Sequence, residues 1–215
     1  MADDRDDAYS RVARRYDRFI GPLVRRLRGI GLELYPPRPG TAVLDVGCGT
    51  GAQLAAYQQA GCHVSCVDPS SAMLSVARRR LGDEADIQEG DATALPYEDG
   101  TFDLATISFV LHELPSVDRA AIMGEMRRVL KPEGRILVVD FLPGPYRGLK
   151  ALLVRFGIVA IEFAAGRDHW RNHRDFLARG ALAALADAQH LSVREQRVAG
   201  GGTIGVSLLA ARRVS

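Results

Sequence analysis

A glycine-rich loop between an apolar run and a helical pattern constrains this chain more than any other feature. The run at 43–46 carries Asp45, and glycine then fills every second position at Gly47, Gly49 and Gly51. Glycine has no Cβ, so such a loop turns tightly and its amides can approach a ligand closely. Because the following helix also directs free N–H groups at this point, the pattern is typical of a strand–loop–helix unit that binds a nucleotide-like cofactor.

The glycine loop taken alone fits two classes of cofactor. Gly47, Gly49 and Ala52 satisfy the dinucleotide fingerprint, which accepts glycine or alanine at its third position. Asp45 favours another ligand, because a carboxylate beside the loop repels a pyrophosphate and attracts a cation. S-adenosylmethionine carries an ammonium and a sulfonium and has no phosphate, so these residues favour it. A glycine turn that binds nothing is the simplest alternative, and a single motif leaves it open.

Six segments in a fixed order carry a family resemblance. They are VLDVGCGTG at 43–51, VSCVD ending at Asp68, Gly90-Asp91-Ala92, LPYEDGTFDLA at 95–105, VLHEL at 110–114 and RRVLKPEGRILVVDF at 127–141. Together they resemble the class I S-adenosylmethionine-dependent methyltransferases, and more narrowly the branch that includes the ubiquinone/menaquinone-biosynthesis methyltransferases. The resemblance covers about residues 8–141 and weakens afterwards. It implies methyl transfer from S-adenosylmethionine to a small-molecule acceptor.

The alternation of strand and helix patterns predicts an α/β fold. Strands are expected at 42–46, 63–67, 85–89, 102–107, 135–140, 191–198 and 203–211, and helices at 7–28, 51–60, 71–81, 117–130 and from Asn172 to about 188. This order predicts a Rossmann-like, doubly wound, mostly parallel sheet whose strands end at one functional edge. The resemblance implies that the last two strands complete a seven-stranded sheet as an antiparallel hairpin. We expect one domain over 1–215, with an N-terminal helical lid and linker at 1–40 and a helical cap insertion at 142–173.

Beyond the loop, five positions are expected to contact the cofactor. Asp68 ends the second strand about twenty residues past the loop, where a carboxylate can accept hydrogen bonds from both ribose hydroxyls; its alternative is to cap the next helix. Met73 can pack on the adenine or belong to the core. Asp91 and the Ala92 amide can bind the adenine edge, although an acid after glycine is also a common turn residue. Ser108 follows the fourth strand at the same edge.

Two further residues are singled out by the resemblance. Tyr16, in RVARRYDRF, resembles the N-terminal tyrosine that closes over the cofactor in related enzymes, and its alternative is packing in the apolar stripe of the first helix. The family often has histidine at the position of His112, which makes this residue the candidate general base or substrate contact. A half-buried, hydrogen-bonded histidine is the alternative.

The histidines at 169 and 173 have the i, i+4 spacing of two metal ligands on one helix. No third ligand is evident at a fixed spacing, and Asn172 resembles a helix N-cap, which argues against one continuous helix. No metal is therefore expected. His169, His173 and the intervening Trp170 are instead expected to contact the substrate or to lie at the surface.

A strongly apolar segment at 151–165 points to the kind of acceptor. It is too short for a membrane span and is interrupted by Arg155, Gly157 and Glu162. We interpret it as part of a cap helix over the active site, with an ordinary core helix as the alternative. An apolar cap favours a lipophilic or amphipathic acceptor. Polar side chains that can orient its head group are Arg147, Arg155, His169 and Arg171.

Charge and cysteine usage limit the remaining classes. The net charge of +2 over 215 residues gives no argument for nucleic acid. Arginines cluster near the N-terminus, which indicates a solvated helix face or, at most, peripheral contact with an anionic membrane. An acidic start without an apolar segment and three cysteines without a disulfide framework predict a cytoplasmic protein. Monomer and homodimer stay open, as do two other functions: a non-catalytic S-adenosylmethionine-binding regulator and an NAD-dependent oxidoreductase.

Overall fold

The computed structural model describes residues 21–144 and 166–212. Three features named above lie outside these residues: Tyr16, the first helix up to residue 20, and the cap segment at 145–165 with Arg147 and Arg155. In the part of the chain that is described, no helix is both long and apolar enough to cross a membrane.

Strands and helices alternate along the described residues. The strands are β1 Ala42–Val46, β2 His63–Asp68, β3 Asp86–Glu89, β4 Phe102–Ser108, β5 Leu130–Phe141, β6 Leu191–Ala199 and β7 Ile204–Ala211. The α-helices are α1 Gly21–Leu34, α2 Leu54–Gln59, α3 Ser71–Leu81, α4 Ser116–Arg128, α5 Arg167–Ala178 and α6 Ala181–Ala188. A short 3₁₀ turn, Leu111–Glu113, follows β4.

The strands form one seven-stranded sheet in the order β3-β2-β1-β4-β5-β7-β6. The first five are parallel, whereas β7 runs antiparallel to both β5 and β6. The expected mostly parallel sheet with a terminal antiparallel hairpin is thus confirmed. The strand order reverses between β1 and β4, and ligands of such sheets bind outside the carboxyl ends of the strands at this switch point.

Both faces of the sheet are covered. Val43 and Leu44 are neighbours on β1, so their side chains point to opposite faces, and both are fully buried. The two faces pack against separate apolar clusters, one that includes α4 and α6 and one that includes α1, α2 and α3. A strand buried on both faces explains why β1, β4 and β5 read as nearly continuous apolar runs. The three cysteines are buried and form no disulfide.

Several boundaries differ from the sequence prediction. The helix after the glycine loop begins at Leu54 rather than 51, because Gly51 still has a left-handed backbone with φ +67°. The predicted helix from Asn172 to 188 is wrong: α5 begins at Arg167, and Gly180, at φ +90°, separates it from α6. Asn172 is no N-cap, since its side-chain amide donates instead to the carbonyl of Glu113 at 2.7 Å.

Candidate active site

The glycine loop forms an open cradle at the end of β1. Gly47, Gly49 and Gly51 all have positive φ. A Cβ on Gly47 would lie 2.6 Å from Val110, so that position has no room for a side chain. A Cβ on Gly49 would meet nothing within 4 Å, so the loop faces open space there. A ligand can therefore approach the backbone at Gly49, which is what the loop was predicted to allow.

Asp68 is tied to this loop. Its Oδ2 accepts the backbone N–H of Gly49 at 2.8 Å, and its Oδ1 accepts that of Ser70 at 2.9 Å. Ser70 is the residue that caps α3, because its hydroxyl accepts the N–H of Met73. Each carboxylate oxygen of Asp68 keeps a further acceptor position. The carboxylate is thus fixed beside the open face of Gly49 and can still accept hydrogen bonds from a diol.

Asp45 is a buried acid in β1, two residues before the first glycine of the loop. It is 3% exposed, and its Oδ1 accepts the hydroxyl of Thr106 on β4 at 2.6 Å. Burial raises the pKa of Asp45 to about 7, with a smaller contribution from the nearby Asp68 carboxylate and an opposing one from the Thr106 hydrogen bond. A cation at this sheet edge would relieve the cost of ionising Asp45. This electrostatic setting fits a positively charged cofactor.

The other expected cofactor residues lie around the same edge. Met73 is half-buried in the first turn of α3, Ala92 is half-buried after β3, and Ser108 is half-buried at the end of β4. Asp91 is exposed, and its Oδ1 accepts the N–H of Thr93 at 2.8 Å, which lowers the pKa of its carboxyl group. This turn is the alternative that the sequence left open for Asp91, and it leaves the second oxygen available to a ligand.

His112 is held by an acid on the neighbouring strand. Its Nδ1 lies 2.7 Å from Oδ1 of Asp140, at the end of β5, and its backbone N–H donates to Oδ2 at 3.3 Å. Both residues are almost fully buried, at 2% and 3% exposure. A carboxylate can only accept, so Nδ1 carries a hydrogen, while Nε2 faces Oε1 of Glu113 at 3.9 Å. In the neutral ring, Nε2 is the atom that can accept a proton or bind a cation.

A strained residue directs the chain into this site. Phe109, directly after β4, has φ +58°, an uncommon conformation for an aromatic residue. Its N–H donates to the carbonyl of Val139 at 2.8 Å, which extends the β4–β5 pairing by one step before the chain turns. The 3₁₀ turn that carries His112 follows at once. Backbone strain of this kind concentrates at functional sites.

Helix α5 brings the three expected substrate residues to His112. The ring centroids of His169 and His173 lie 5.8 Å and 5.5 Å from that of His112. Trp170 stacks on His173 with centroids 6.2 Å apart. Phe141 completes an aromatic wall, 4.6 Å from His112. The site side of α5 therefore offers mainly ring surfaces together with imidazole nitrogens.

Arg119 of α4 fixes α5 against the 3₁₀ turn. Its guanidinium donates to the carbonyl of Leu111 at 2.9 Å, to the carbonyl of Asn172 at 2.6 Å and to Asp175 at 3.0 Å. It also lies 5.2 Å from the ring centroid of Phe176. The side chain is 3% exposed, so these bonds compensate for burying its charge. We call this set of contacts the Arg119 clamp.

The sequence placed Phe109, with Ser108, at the functional edge after the fourth strand, but it did not single out Asp140, Glu113 or Arg119. A signal for Asp140 was present: it is an acid near the end of an apolar strand, as Asp45 and Asp68 are. Glu113 and Arg119 have no local signature, because their partners on α5 are more than fifty residues away. The predicted pair of His169 and His173 does not come together with a third ligand among the described residues; instead, donor atoms of His112, Glu113 and His169 lie within 4.8 Å of one another.

Known proteins are similar to this chain over different lengths. A methyltransferase-domain family profile matches residues 44–138. A demethylmenaquinone methyltransferase of Renibacterium salmoninarum is 42% identical over 57% of this chain and 52% of its own length. One of Thermus thermophilus is 33% identical over 94% of this chain and 97% of its own length. The ubiquinone/menaquinone biosynthesis C-methyltransferase UbiE of Methylobacterium nodulans is 32% identical over 94% of this chain and 88% of its own length. The chain thus spans about half the length of the first relative and nearly all of the second.

Solved structures share the fold. A TehB-like SAM-dependent methyltransferase from Corynebacterium glutamicum matches with a TM-score of 0.64, 97% of this chain and 99% of that one being covered. The two sequences are 17% identical, so this likeness concerns the architecture alone.

Proposed function

Since the chain belongs to the family of S-adenosylmethionine-dependent methyltransferases, we propose that it methylates a ring carbon of a lipophilic, quinol-like acceptor. One observation carries the proposal. A buried pair, His112 and Asp140, stands at the same sheet edge as the open Gly49–Asp68 cradle. The cradle suits an adenosyl cofactor, and the pair suits removal of a proton from the acceptor. The relatives named as demethylmenaquinone and ubiquinone/menaquinone methyltransferases support this combination of a cofactor site with a base.

The cofactor would be held by residues from β1, β2 and the turns after β3 and β4. We assign the ribose hydroxyls to Asp68 and the backbone approach to the glycine loop. Asp91, Ala92 and Met73 would surround the adenine, and Asp45 would favour the cationic part. Ser108 and, beyond the described residues, Tyr16 would complete the enclosure. When bound, S-adenosylmethionine supplies an electrophilic methyl group on a sulfonium.

The chain's own part in the reaction is alignment and proton removal. A ring carbon that gains a methyl group must lose its hydrogen as a proton, so carbon methylation requires a base. Nε2 of His112 would accept that proton, while Asp140 keeps Nδ1–H in place and stabilises the imidazolium that forms. A base held in this way contributes roughly 10²–10⁴-fold to the rate. Orientation of the acceptor against the methyl group supplies much of the rest.

The acceptor class follows from the surroundings of His112. Phe109 and Phe141 present ring surfaces to His112, and Phe141 and Trp170 lie against the ring of His173. Such walls favour a flat, apolar ring with few polar groups, and His169 and His173 would contact its oxygens. The relatives named for demethylmenaquinone and for ubiquinone/menaquinone biosynthesis act on molecules of this description. The cap expected at 142–173 stays a prediction, because residues 145–165 lie outside the described part of the chain.

The other functions considered have no support from the comparisons, which give methyltransferases rather than a nicotinamide-dependent oxidoreductase or a regulator. The small-molecule acceptor agrees with the relatives. The absence of nucleic-acid binding, a cytoplasmic location, the single-domain organisation and the choice between monomer and homodimer stay predictions.

A turnover assay tests the proposed function. The full chain is incubated with S-adenosylmethionine carrying a labelled methyl group and with a chemically reduced demethylmenaquinone, and the product is analysed by mass spectrometry. We expect label on a ring carbon, equimolar S-adenosylhomocysteine, and a rate lowered roughly 10²-fold or more in His112→Gln. Label on oxygen, or equal rates for wild type and His112→Gln, would contradict the role assigned to this pair.

A further inference from the structure

Three potential metal ligands converge where α5 meets the 3₁₀ turn. Oε1 of Glu113 lies 3.9 Å from Nε2 of His112 and 3.9 Å from Nε2 of His169. Donor atoms of all three residues lie within 4.8 Å of one another. Two come from neighbouring residues of the turn and one from the helix, so the chain brings together positions more than fifty residues apart. We call these residues the His112–Glu113–His169 cluster.

The His112 ligand already has the support that metal-binding histidines require. In metal sites the second ring nitrogen of a histidine commonly donates to a carboxylate, which fixes the tautomer and raises the basicity of the ligating nitrogen. Asp140 accepts from Nδ1 of His112 at 2.7 Å and also receives its backbone N–H. Nε2, the atom that faces Glu113, is therefore the one with a lone pair to offer.

The ligand atoms of the cluster are spaced more widely than those around a bound zinc ion. Zinc binds nitrogen and oxygen at about 2.0–2.2 Å, which places tetrahedral ligands about 3.4 Å apart. The two separations of 3.9 Å to Glu113 exceed this by roughly half an ångström, and the exposed side chain of Glu113 can rotate to close that difference. The ligand atoms of His112 and His169 lie within 4.8 Å of each other, so the two imidazoles would have to approach by at most about 1.4 Å. The backbone at Glu113 is held, because Asn172 donates to the Glu113 carbonyl and the Arg119 clamp ties α5 to the turn.

We propose that His112, Glu113 and His169 bind a divalent transition-metal ion of the zinc type. Two imidazoles and one carboxylate form a ligand set that suits Zn²⁺, Co²⁺ and Ni²⁺ rather than Mg²⁺ or Ca²⁺, which prefer oxygen. Three protein ligands leave a fourth position for water.

This inference builds on the proposed function in one respect. The ion would take the lone pair on Nε2 of His112 that proton removal needs, so metal binding and methyl transfer exclude each other. Zn²⁺ would then act as a reversible inhibitor, relieved by a chelator.

Metal binding can be measured without cofactor or acceptor. The full chain is stripped with a chelator, desalted and titrated with Co²⁺, followed by its visible absorption, and with Zn²⁺ by calorimetry. We expect one strong site and the intense bands of four-coordinate Co²⁺. Glu113→Gln is nearly isosteric at an exposed side chain, so it should fold normally and weaken binding by about tenfold or more. His169→Ala should do the same, and Asp140→Asn should weaken binding about 10–100-fold through His112.

His63 supplies the matched control, because it is exposed at the start of β2 and far along the sheet order from the cluster. His63→Ala should bind Co²⁺ and Zn²⁺ like the wild type. The proposal is overturned if the wild type shows no bands of bound Co²⁺, or if Glu113→Gln and His169→Ala bind as tightly as His63→Ala. Neither result would touch the methyl-transfer assay in metal-free buffer, and failure of that assay would leave the metal titration intact.

Discussion

Asp140 forms two hydrogen bonds with His112: its Oδ1 lies 2.7 Å from Nδ1 of the ring, and its Oδ2 accepts the backbone N–H of the same residue. A single acid thus sets both the rotation of the imidazole and the position of the turn that carries it. Asp140 does not need to touch the acceptor to matter for the reaction. It is a positioning residue, and its removal should affect the proton-transfer step before it affects cofactor binding.

Asp140→Asn should lower kcat by roughly 10²–10⁴-fold, because an amide can present an N–H to Nδ1 and so favour the wrong tautomer. The affinity for S-adenosylhomocysteine should stay within about twofold of wild type. The check combines turnover with calorimetry and a pH–rate profile. If kcat and the affinity for S-adenosylhomocysteine fall together while the pH–rate profile is unchanged, the role of Asp140 is purely structural.

Asp68→Ala should weaken binding of S-adenosylhomocysteine by about 10²-fold or more, since it removes two charge-assisted hydrogen bonds that contribute about 1.5–3 kcal/mol each. The N–H groups of Gly49 and Ser70 would lose their acceptor, so some loss of stability is also expected. Asp68→Asn separates the two effects, because it keeps an acceptor for one N–H while removing the charge. Normal cofactor affinity in both variants would exclude the ribose role.

Gly49→Ala should mainly weaken cofactor binding and Gly47→Ala should mainly lower stability, although both glycines have positive φ. A methyl group on Gly49 points into open space, so we expect a cost of about 1 kcal/mol in stability and a clear loss of cofactor affinity. A methyl group on Gly47 meets Val110 at 2.6 Å and should lower the melting temperature much further. Val110→Ala should partly restore the stability of Gly47→Ala and leave Gly49→Ala unchanged.

The raised pKa of Asp45 should make the stability of the fold depend on pH with the sign opposite to that of most acids. Its pKa is raised by burial to about 7, so between about pH 4 and pH 7 the folded state binds more protons than the unfolded state. Stability therefore falls as the pH rises through this window. Asp45→Asn should remove this contribution, on the order of 4 kcal/mol at pH 8. Thermal unfolding of both proteins at pH 5 and pH 8 gives the difference; equal slopes would contradict it.

Cofactor binding should depend on the same group in the opposite direction. A cation prefers ionised Asp45, so the affinity for S-adenosylmethionine should rise with pH up to about 7, by at most about tenfold per pH unit. In Asp45→Asn the affinity should be lower at pH 8 and nearly independent of pH. Calorimetry in buffers of matched ionic strength provides the measurement.

The fold, and the place of the glycine loop and Asp68 at one edge of its sheet, could be predicted because their signals are local. The strand, glycine loop and acid at Asp68 follow one another within a short stretch, and the apolar runs report strands buried on both faces. Asn172 was misplaced because its amide is used by the Glu113 carbonyl, a partner 59 residues away that propensity does not reveal. The bond between His112 and Asp140 spans 28 residues, so His112 was singled out by its motif and Asp140 was not.

The Arg119 clamp bears on how acceptor preference can change among relatives. The guanidinium joins the turn that carries His112 to the helix that carries His169, Trp170 and His173. The position of the turn therefore depends on the position of the helix. Exchanging one of them with a relative would leave a buried cation facing foreign partners. Chimaeras that exchange residues 111–119 and 167–176 together should therefore fold and adopt the donor's preference, whereas either segment alone should not. Such a result would mean that the turn and the helix determine the acceptor preference only in combination.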